Sequence, residues 1–419
     1  MRELYDSEIK WLGMIPIEWN LEKIGGMYTL RTEKVSDKDY PPLSVTMKGI
    51  IPQLETAAKT NDGDNRKLVK RGDFVINSRS DRRGSCGISE YDGSVSLINL
   101  VLTPRQEMSP EYYNWLFHTI EFADEFYSWG HGIVSDLWST NWQEMKKITI
   151  PVPSITEQKR IADFLNDKCT KIDDLISEIE LEINKLKDYR ESTITEAVTK
   201  GIHEDVEIVE SGKEWCPQVP KHWIPTNPKA LFSLRNQRAK EGERQLTASQ
   251  KLGIVYQDEF MENEGQKLVT VEKDFSILKH VEPNDFVISM RSFQGGLEYS
   301  ELSGSISSAY VMLIPNETKV YPPFYRWFFK SAKYINAIQS TTNLVRDGQA
   351  MRYANFVKVP LFLIPIEEQM EIAEYLDSKI KRIDSILCDK DKQLSVLSSY
   401  KKAIIYEYVT GKKEVPADA

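Results

Sequence analysis

Asp73-Phe74-Val75-Ile76-Asn77-Ser78-Arg79-Ser80 returns 212 positions later as Asp285-Phe286-Val287-Ile288-Ser289-Met290-Arg291-Ser292. An apolar run that opens on aspartate and closes in serine and arginine reads as a buried strand followed by a polar loop. The recurrence extends in both directions. Upstream, Trp11, Pro16, Trp19, Leu30 and Arg31 recur as Trp215, Pro220, Trp223, Leu234 and Arg235 at a shift of 204. Downstream, Pro104, Pro110, Tyr113, Trp115 and Phe117 recur as Pro315, Pro322, Tyr325, Trp327 and Phe329 at shifts of 211 or 212. Gln158, Ile161, Leu165, Ile172 and Asp173 recur as Gln369, Ile372, Leu376, Ile383 and Asp384 at 211, and Tyr189 and Val198 match Tyr400 and Val409 at the same shift. A near-constant offset along 419 residues marks a duplicated module, because a period of about 200 residues is too long for a solenoid unit.

Each copy has two parts. The first, over 1–150 and 205–360, mixes short β-rich runs (73–77, 94–102, 285–290, 307–314) with aromatic helical segments (110–127, 322–338), the pattern of an α+β globular domain. The second part is a long helix. Leu165, Ile172, Ile179 and Leu186 are seven apart, with Cys169, Ile176 and Ile183 four after the first three, which is the 4,3 spacing of a coiled-coil seam. Its counterpart carries Leu376, Ile380, Ile383, Leu387, Leu394 and Leu397, with Lys390 standing where the first helix has Ile179. Prolines precede each helix (Ile150-Pro151-Val152-Pro153; Val359-Pro360 through Pro365), Ser154 or Thr156 is placed to cap the first, and Gly201 and Gly411 stand near the two ends. Roughly 44 residues make a rod of about 65 Å whose narrow seam needs a partner. The equivalent partner is the other copy. If the modules are related by a two-fold axis, the helices run antiparallel, the two domains lie at opposite ends, and the chain termini come together. The expected fold is therefore two α+β target-recognition domains (1–153 and 205–364), a central helix (154–204), a C-terminal helix (365–411) and a tail (412–419), arranged as a pseudo-two-fold repeat with an antiparallel coiled coil.

Composition excludes several function classes. The polar stretch Met1 to Lys10 is no secretory signal, and no run approaches the ~18 apolar residues of a membrane span, so a cytoplasmic protein without membrane contact is expected. Cys86, Cys169, Cys216 and Cys388 are scattered without a C-x-x-C pair, which argues against zinc and against a disulfide framework. There is no G-x-x-x-x-G-K-[ST] loop and no H-E-x-x-H, and the five histidines do not cluster in sequence. No catalytic residue and no metal ligand is expected.

Trp11-Leu12-Gly13, Ile15-Pro16 and Trp19 followed by Lys23 resemble the opening signature of type I restriction–modification specificity (S, HsdS) subunits. Ile150-Pro151-Val152-Pro153 with Thr156-Glu157-Gln158 and Ile161 resembles that family's approach to its conserved helix. Val359-Pro360 and Ile364-Pro365-Ile366-Glu367-Glu368-Gln369 repeat it. The resemblance spans essentially the whole chain. It implies a non-catalytic subunit whose two recognition domains each read one half of a split double-stranded DNA target. The helices would set the gap and dock two methyltransferase subunits, to which restriction and translocase subunits add. S-adenosylmethionine, ATP and magnesium would belong to those partners, with no cofactor held by this chain. The methyltransferase motif N-P-P-[YF] has only Thr226-Asn227-Pro228-Lys229 as its nearest match, without the second proline or the aromatic. Two domains on rigid rods would read half-sites separated by about a helical turn, 34–36 Å. Because the copies differ in sequence, the target should be asymmetric. Within the same family an orphan or phase-variable subunit is an alternative, and outside it a coiled-coil protein-interaction scaffold that reads no DNA.

Candidate reading residues follow the repeated strand. In the first copy they are Asn77, Ser78, Arg79, Ser80, Arg82 and Arg83, within a stretch from Arg66 to Arg83 that holds seven basic residues against two acidic ones. Such an excess suits phosphates, with arginine and asparagine reaching base edges. In the second copy they are Arg291, Ser292 and Gln294, with Phe293 equally readable as core. A second polar loop precedes each helix and offers Ser135 in one copy and Arg346 and Gln349 in the other, while Arg31 and Arg235 sit at matched positions after Leu30 and Leu234. Trp115, Phe117, Trp327 and Phe329 are at helical spacing and read as core. The formal charge of −9 opposes a grip by phosphate contacts alone, so partner subunits are expected to supply it, and the isolated chain should bind DNA weakly and with strong salt dependence.

Overall fold

The repeated apolar run forms the same interior strand in both copies. In the computed structural model, which describes residues 2–53, 63–132, 138–250, 252–265, 268, 277–290, 292–341 and 351–416, Phe74–Asn77 lies between Cys86–Ile88 and Asn99–Pro104, and Tyr28–Leu30 completes the sheet. In the second copy Phe286–Ile288 lies between Glu298–Tyr299 and Val311–Pro315, with Phe232–Arg235 as the fourth strand. Both sheets are antiparallel, in equivalent register (Phe74 opposite Leu102, Phe286 opposite Leu313). Side chains alternate across a strand, and both faces here are covered. Phe74 and Ile76 enter a large aromatic core, whereas Val75 faces a small one with Leu43, Ile50, Val69, Val95 and Val101. Phe286 and Ile288 against Val287 divide in the same way.

Two expected elements are broken. The run 94–102 is two strands, Gly93–Val95 and Asn99–Pro104, because a turn intervenes in which both the amide and the side chain of Asn99 donate to Ser96 O. The run 307–314 is strand only from Val311, because a Tyr310 N–Ser307 O turn separates Val311–Pro315 from the preceding strand Gly304–Ile306. Each aromatic segment is a pair of helices, Pro110–Phe117 with Ile120–Ser128 and Pro322–Phe328 with Ala332–Ser340. Hydroxyls make the corner: Thr119 donates to Leu116 O and caps the next helix through Phe122 N, and Ser331 donates to Phe328 O.

The long helices are Ile155–Lys200 and Ile366–Val409. The chain forms two compact units, Met1–Glu180 with Asp391–Ala419, and Leu181–Lys390, so each unit contains one globular copy and part of both helices. Within the first unit, Cys169 and Ile172 pack on Ile404, Phe164 lies on Tyr408 and Asp173 pairs with Lys401 at 2.6 Å. Within the second, Glu182 pairs with Lys390 at 2.5 Å and Arg190 with Asp384 at 2.8 Å. Partner numbers fall as helix numbers rise, so the pairing is antiparallel inside each unit. Leu165, Ile172 and Ile183 are buried on one helix and Leu376, Ile380 and Ile383 on the other, while Ile176, Ile179, Leu186, Leu387, Leu394 and Leu397 are half-buried. Lys390 fits the seam by pairing with Glu182 along its edge.

The repeated polar residues are internal fasteners, as buried polar groups must be. Trp19 Nε1 donates to Glu157 (2.9 Å) and Trp223 Nε1 to Glu368 (3.1 Å). Gln158 accepts from Ser109 N and donates to Pro153 O, both at 2.9 Å, and Gln369 does the same with Tyr321 N and Ile364 O. Trp115 donates to Asn166, and Trp327 to Asp377. Gly201 (φ 75°) and Gly411 (φ 71°) end the helices in the left-handed conformation that glycine adopts freely. Gly201 lies beside Pro220 and Trp223, and Gly411 beside Pro16 and Trp19. In the first unit the tail and the start of the chain meet: Tyr406 donates to Trp11 O (2.8 Å), Lys412 to Leu12 O, and Arg160 to Val415 O and Pro416 O. Among the described residues, no helix is long and apolar enough to cross a membrane.

Candidate nucleic-acid interface

Strand Phe74–Asn77 ends at a loop built from two distant stretches. Ser78 O accepts from Thr140 N (2.9 Å), Ser80 N donates to Trp138 O (3.0 Å), and Arg79 bridges to Ser139. His131 pairs with the same Ser139, so the loop after the strand and the loop before the helix, which sequence presents as separate candidates, form one edge. Tyr127 pins this edge from below by donating to Asn77 O and Arg82 O, and Trp138 Nε1 donates to Tyr127 O.

The expected contact residues divide by environment. Arg82 is the most open, with 69% of its side chain exposed, and Arg83 is 53% exposed, ion-paired with Asp124 and lying over the Tyr127 ring. Arg79 is half-buried with Asp81 3.4 Å away. Ser78 and Ser80 are half-buried, and Asn77 is buried with its Oδ1 accepting from Arg79 N. Arg31 and Arg235 are engaged inside their modules: each forks Nε and Nη2 onto a buried aspartate, Asp73 at 2.8 and 2.9 Å and Asp285 at 2.5 and 2.9 Å. The hydrogen bond to Asp73 raises the Arg31 pKa further. This geometry reassigns both arginines from DNA contact to fixing the base of the sheet. Ser292 is buried, accepting from Ser289 N at 2.8 Å, which leaves it no surface for DNA, whereas Gln294 is exposed. Ser135, Arg291, Arg346 and Gln349 lie outside the described residues.

The basic excess of residues 66–83 is smaller at the surface than in sequence. Arg66 is buried on Ser94, and burial lowers its pKa. Lys67 Nζ donates to Asn99 O, and its pKa is lowered by burial too. Lys279 makes the matching bond to Tyr310 O in the second copy. The recurrence of Lys67 as Lys279, at 212, is the sign in sequence that this lysine belongs to the scaffold. Another element at the edge escaped the sequence reading: the tip of the hairpin Leu43–Thr46/Gly49–Pro52, whose Met47 approaches Gly84. Among the described residues no three His, Cys, Asp or Glu gather in a way that would hold a metal. Burial pushes the Cys169 and Cys216 thiols up to about 11, away from nucleophile chemistry. What the edge presents is exposed guanidinium donors above the Tyr127 hydrogen bonds, chemistry that suits anions and base-edge acceptors.

Residues 16–185 match the family described as type I restriction modification DNA specificity domain. A protein of Methanocaldococcus jannaschii assigned as the MjaX specificity subunit of a type I restriction enzyme is 24% identical, over 99% of this chain and 93% of its own length. The segment 16–185 thus resembles a type I specificity domain, and the likeness to a type I specificity subunit runs over nearly the whole chain. A second relative, the MjaVIII specificity subunit of a type I restriction enzyme from the same organism, is 22% identical over 96% of this chain and 94% of its own. The fold agrees with solved chains. One, from work on complex assembly and conformational transition of the type I R-M system, matches with a TM-score of 0.70 at 14% identity over 95% of this chain and 99% of its own. The HsdS subunit of Thermoanaerobacter tengcongensis matches at 0.55, with 14% identity over 95% and 98%.

Proposed function

We propose that this chain is a non-catalytic type I specificity subunit that reads an asymmetric, bipartite duplex sequence, one half with each α+β domain. The observation that carries the reading is the division between shared and divergent residues. The Trp–Glu, Gln and Arg–Asp fasteners recur bond for bond in both copies. Beyond Arg79, which recurs as Arg291, the edge changes from Asp81-Arg82-Arg83 to Phe293-Gln294-Gly295. A scaffold held constant beneath an edge that varies suits two readers with different targets. We assign the contacts of the first domain to Arg79, Arg82 and Arg83 with Ser78 and Ser80, and those of the second to Gln294, together with Arg291, Arg346 and Gln349. In this reading the domains are 1–153 and 205–364, and the helices 154–204 and 365–411 set their separation and dock two methyltransferase subunits. Methyl donor, ATP and magnesium are held by partner subunits, and restriction subunits join through the methyltransferases. A solved chain of the same fold comes from a type I complex assembly, which supports action within such a complex.

Sequencing the methylated bases in cells that express the chain with the methyltransferase of its own system tests the proposal. A split motif with two unlike halves is expected, and a contiguous or palindromic motif overturns it. With an acidic net charge, the isolated chain should bind duplex DNA weakly at physiological salt; tight specific binding there would refute the assignment of the phosphate grip to partners.

A further inference from the structure

Hairpin Leu43–Thr46/Gly49–Pro52 turns through two residues, Met47 and Lys48. The tip is fixed. Thr46 Oγ1 donates to Gly49 O (2.9 Å) and accepts from Lys48 N (3.1 Å), and Leu43 and Ile50 anchor the strands in the small core behind Val75. Met47 is nevertheless 71% exposed, the highest value among the large apolar side chains of the described residues. A rigid loop that holds a methionine in water gains nothing from it in the free protein.

Its position supplies a use. The hairpin backs onto the strand that follows the arginine loop so closely that a Cβ on Gly87 would come 2.8 Å from Gly49 Cα, and the Met47 methyl reaches the neighbourhood of Gly84, next to Arg83. The second copy builds the same hairpin, Leu246–Ser249/Gly253–Tyr256, on the same kind of core, with Leu246 and Ile254 against Val287. There the tip is three residues long, Gln250 lies against Gly295 in the loop after the repeated strand, and Leu252 is 49% exposed. The hairpin is thus shared while its tip differs in length and chemistry, the same division that marks the loops beyond the repeated strand.

We propose that the hairpin tips are second reading elements of the two domains, Met47 and Leu252 meeting a base edge by apolar contact of the kind a thymine methyl offers, and Lys48 holding a neighbouring phosphate. This rests on the reading of each domain as a half-site reader. An apolar side chain beside cationic donors matches the major groove, where methyl groups adjoin hydrogen-bond acceptors and the backbone flanks both.

The test uses the full chain with its methyltransferase and the methylated motif as readout, comparing Met47→Ala, Leu252→Ala, Lys48→Ala and the double variant Arg82→Ala with Arg83→Ala. Met47→Ala should relax one base position in one half of the motif by about 5- to 150-fold, and Leu252→Ala should do so only in the other half. Lys48→Ala should weaken binding of all sequences alike and lower the slope of log affinity against log salt by about one. If both tip variants keep the motif at full stringency while the arginine double variant alters it, the tips are not readers and the half-site reading stands. If the arginine double variant also leaves the motif unchanged, this edge is not the reading surface and both proposals fall.

Discussion

Asp73 accepts from Arg31 at two atoms, from Lys70 N at 2.8 Å and from Thr103 Oγ1 at 3.0 Å, and only 2% of its side chain is exposed. Asp285 holds Arg235 and Glu282 N in the second unit. Removing one partner of such a pair strands the other charge, a loss of about 3–5 kcal/mol. Asp73→Ala should therefore lower the unfolding transition of the first unit by that amount and spare the second, and Asp285→Ala should do the reverse. Urea unfolding followed by hydrogen exchange, assigned to each unit, measures both, and equal effects on the two units would refute the separation. The repeat made Arg31 and Asp73 stand out in sequence, but it could not say that they answer each other across 42 residues, because a constant offset marks structural and DNA-facing residues alike. Counting charges had a similar limit. Arg66 and Lys67 add to the basic total of their stretch, yet both donate inward to Ser94 and Asn99.

At the scale of elements, the helices were the most legible part, since a seam repeated every seven residues fixes which side is covered before any partner is known. Leu165 is fully buried at the foot of the first helix, where it joins the core of its own globular copy, whereas Leu175, off the seam, is 48% exposed. Leu165→Ala should cost about 2–5 kcal/mol, and Leu175→Ala should stay within about 0.5 kcal/mol of the parent. Chemical denaturation of the two variants checks this, and comparable losses would mean that seam position does not decide which leucines of the helix carry stability. The corners in the aromatic segments were not legible, because Thr119 and Ser331 read as ordinary residues inside an apolar periodicity. They break it through hydroxyl bonds to carbonyls three residues back. The hairpin tips were hidden for another reason. Met47 gains meaning from Gly84 and Gly87, about 40 residues on, and no local pattern announces such a meeting.

Over the whole molecule, duplication was the strongest signal in the sequence, and the structure adds how the copies are closed. In the second unit the helix ending at Gly201 continues as chain into strand Ile208–Glu210, which pairs with Gln218–Pro220. In the first unit the end of the second long helix, at Gly411 and Lys412, meets strand Met14–Pro16, which pairs with Leu4–Asp6. Side chains hold that junction: Arg2 binds Glu157 at 2.6 Å, and one turn further along the same helix Arg160 binds Pro416 O at 2.7 Å. The two junctions are therefore built alike, one through backbone and one through side chains. Re-cutting the gene so that translation starts near Glu204, with Pro416 joined to Arg2 by a short glycine–serine linker, should give a chain that folds to the same helical content and directs methylation to the same motif. A rearranged chain that cannot fold would show that the first junction depends on its free ends. Linear order would then be a contingent property of this protein, and the natural description of its sequence would be a ring.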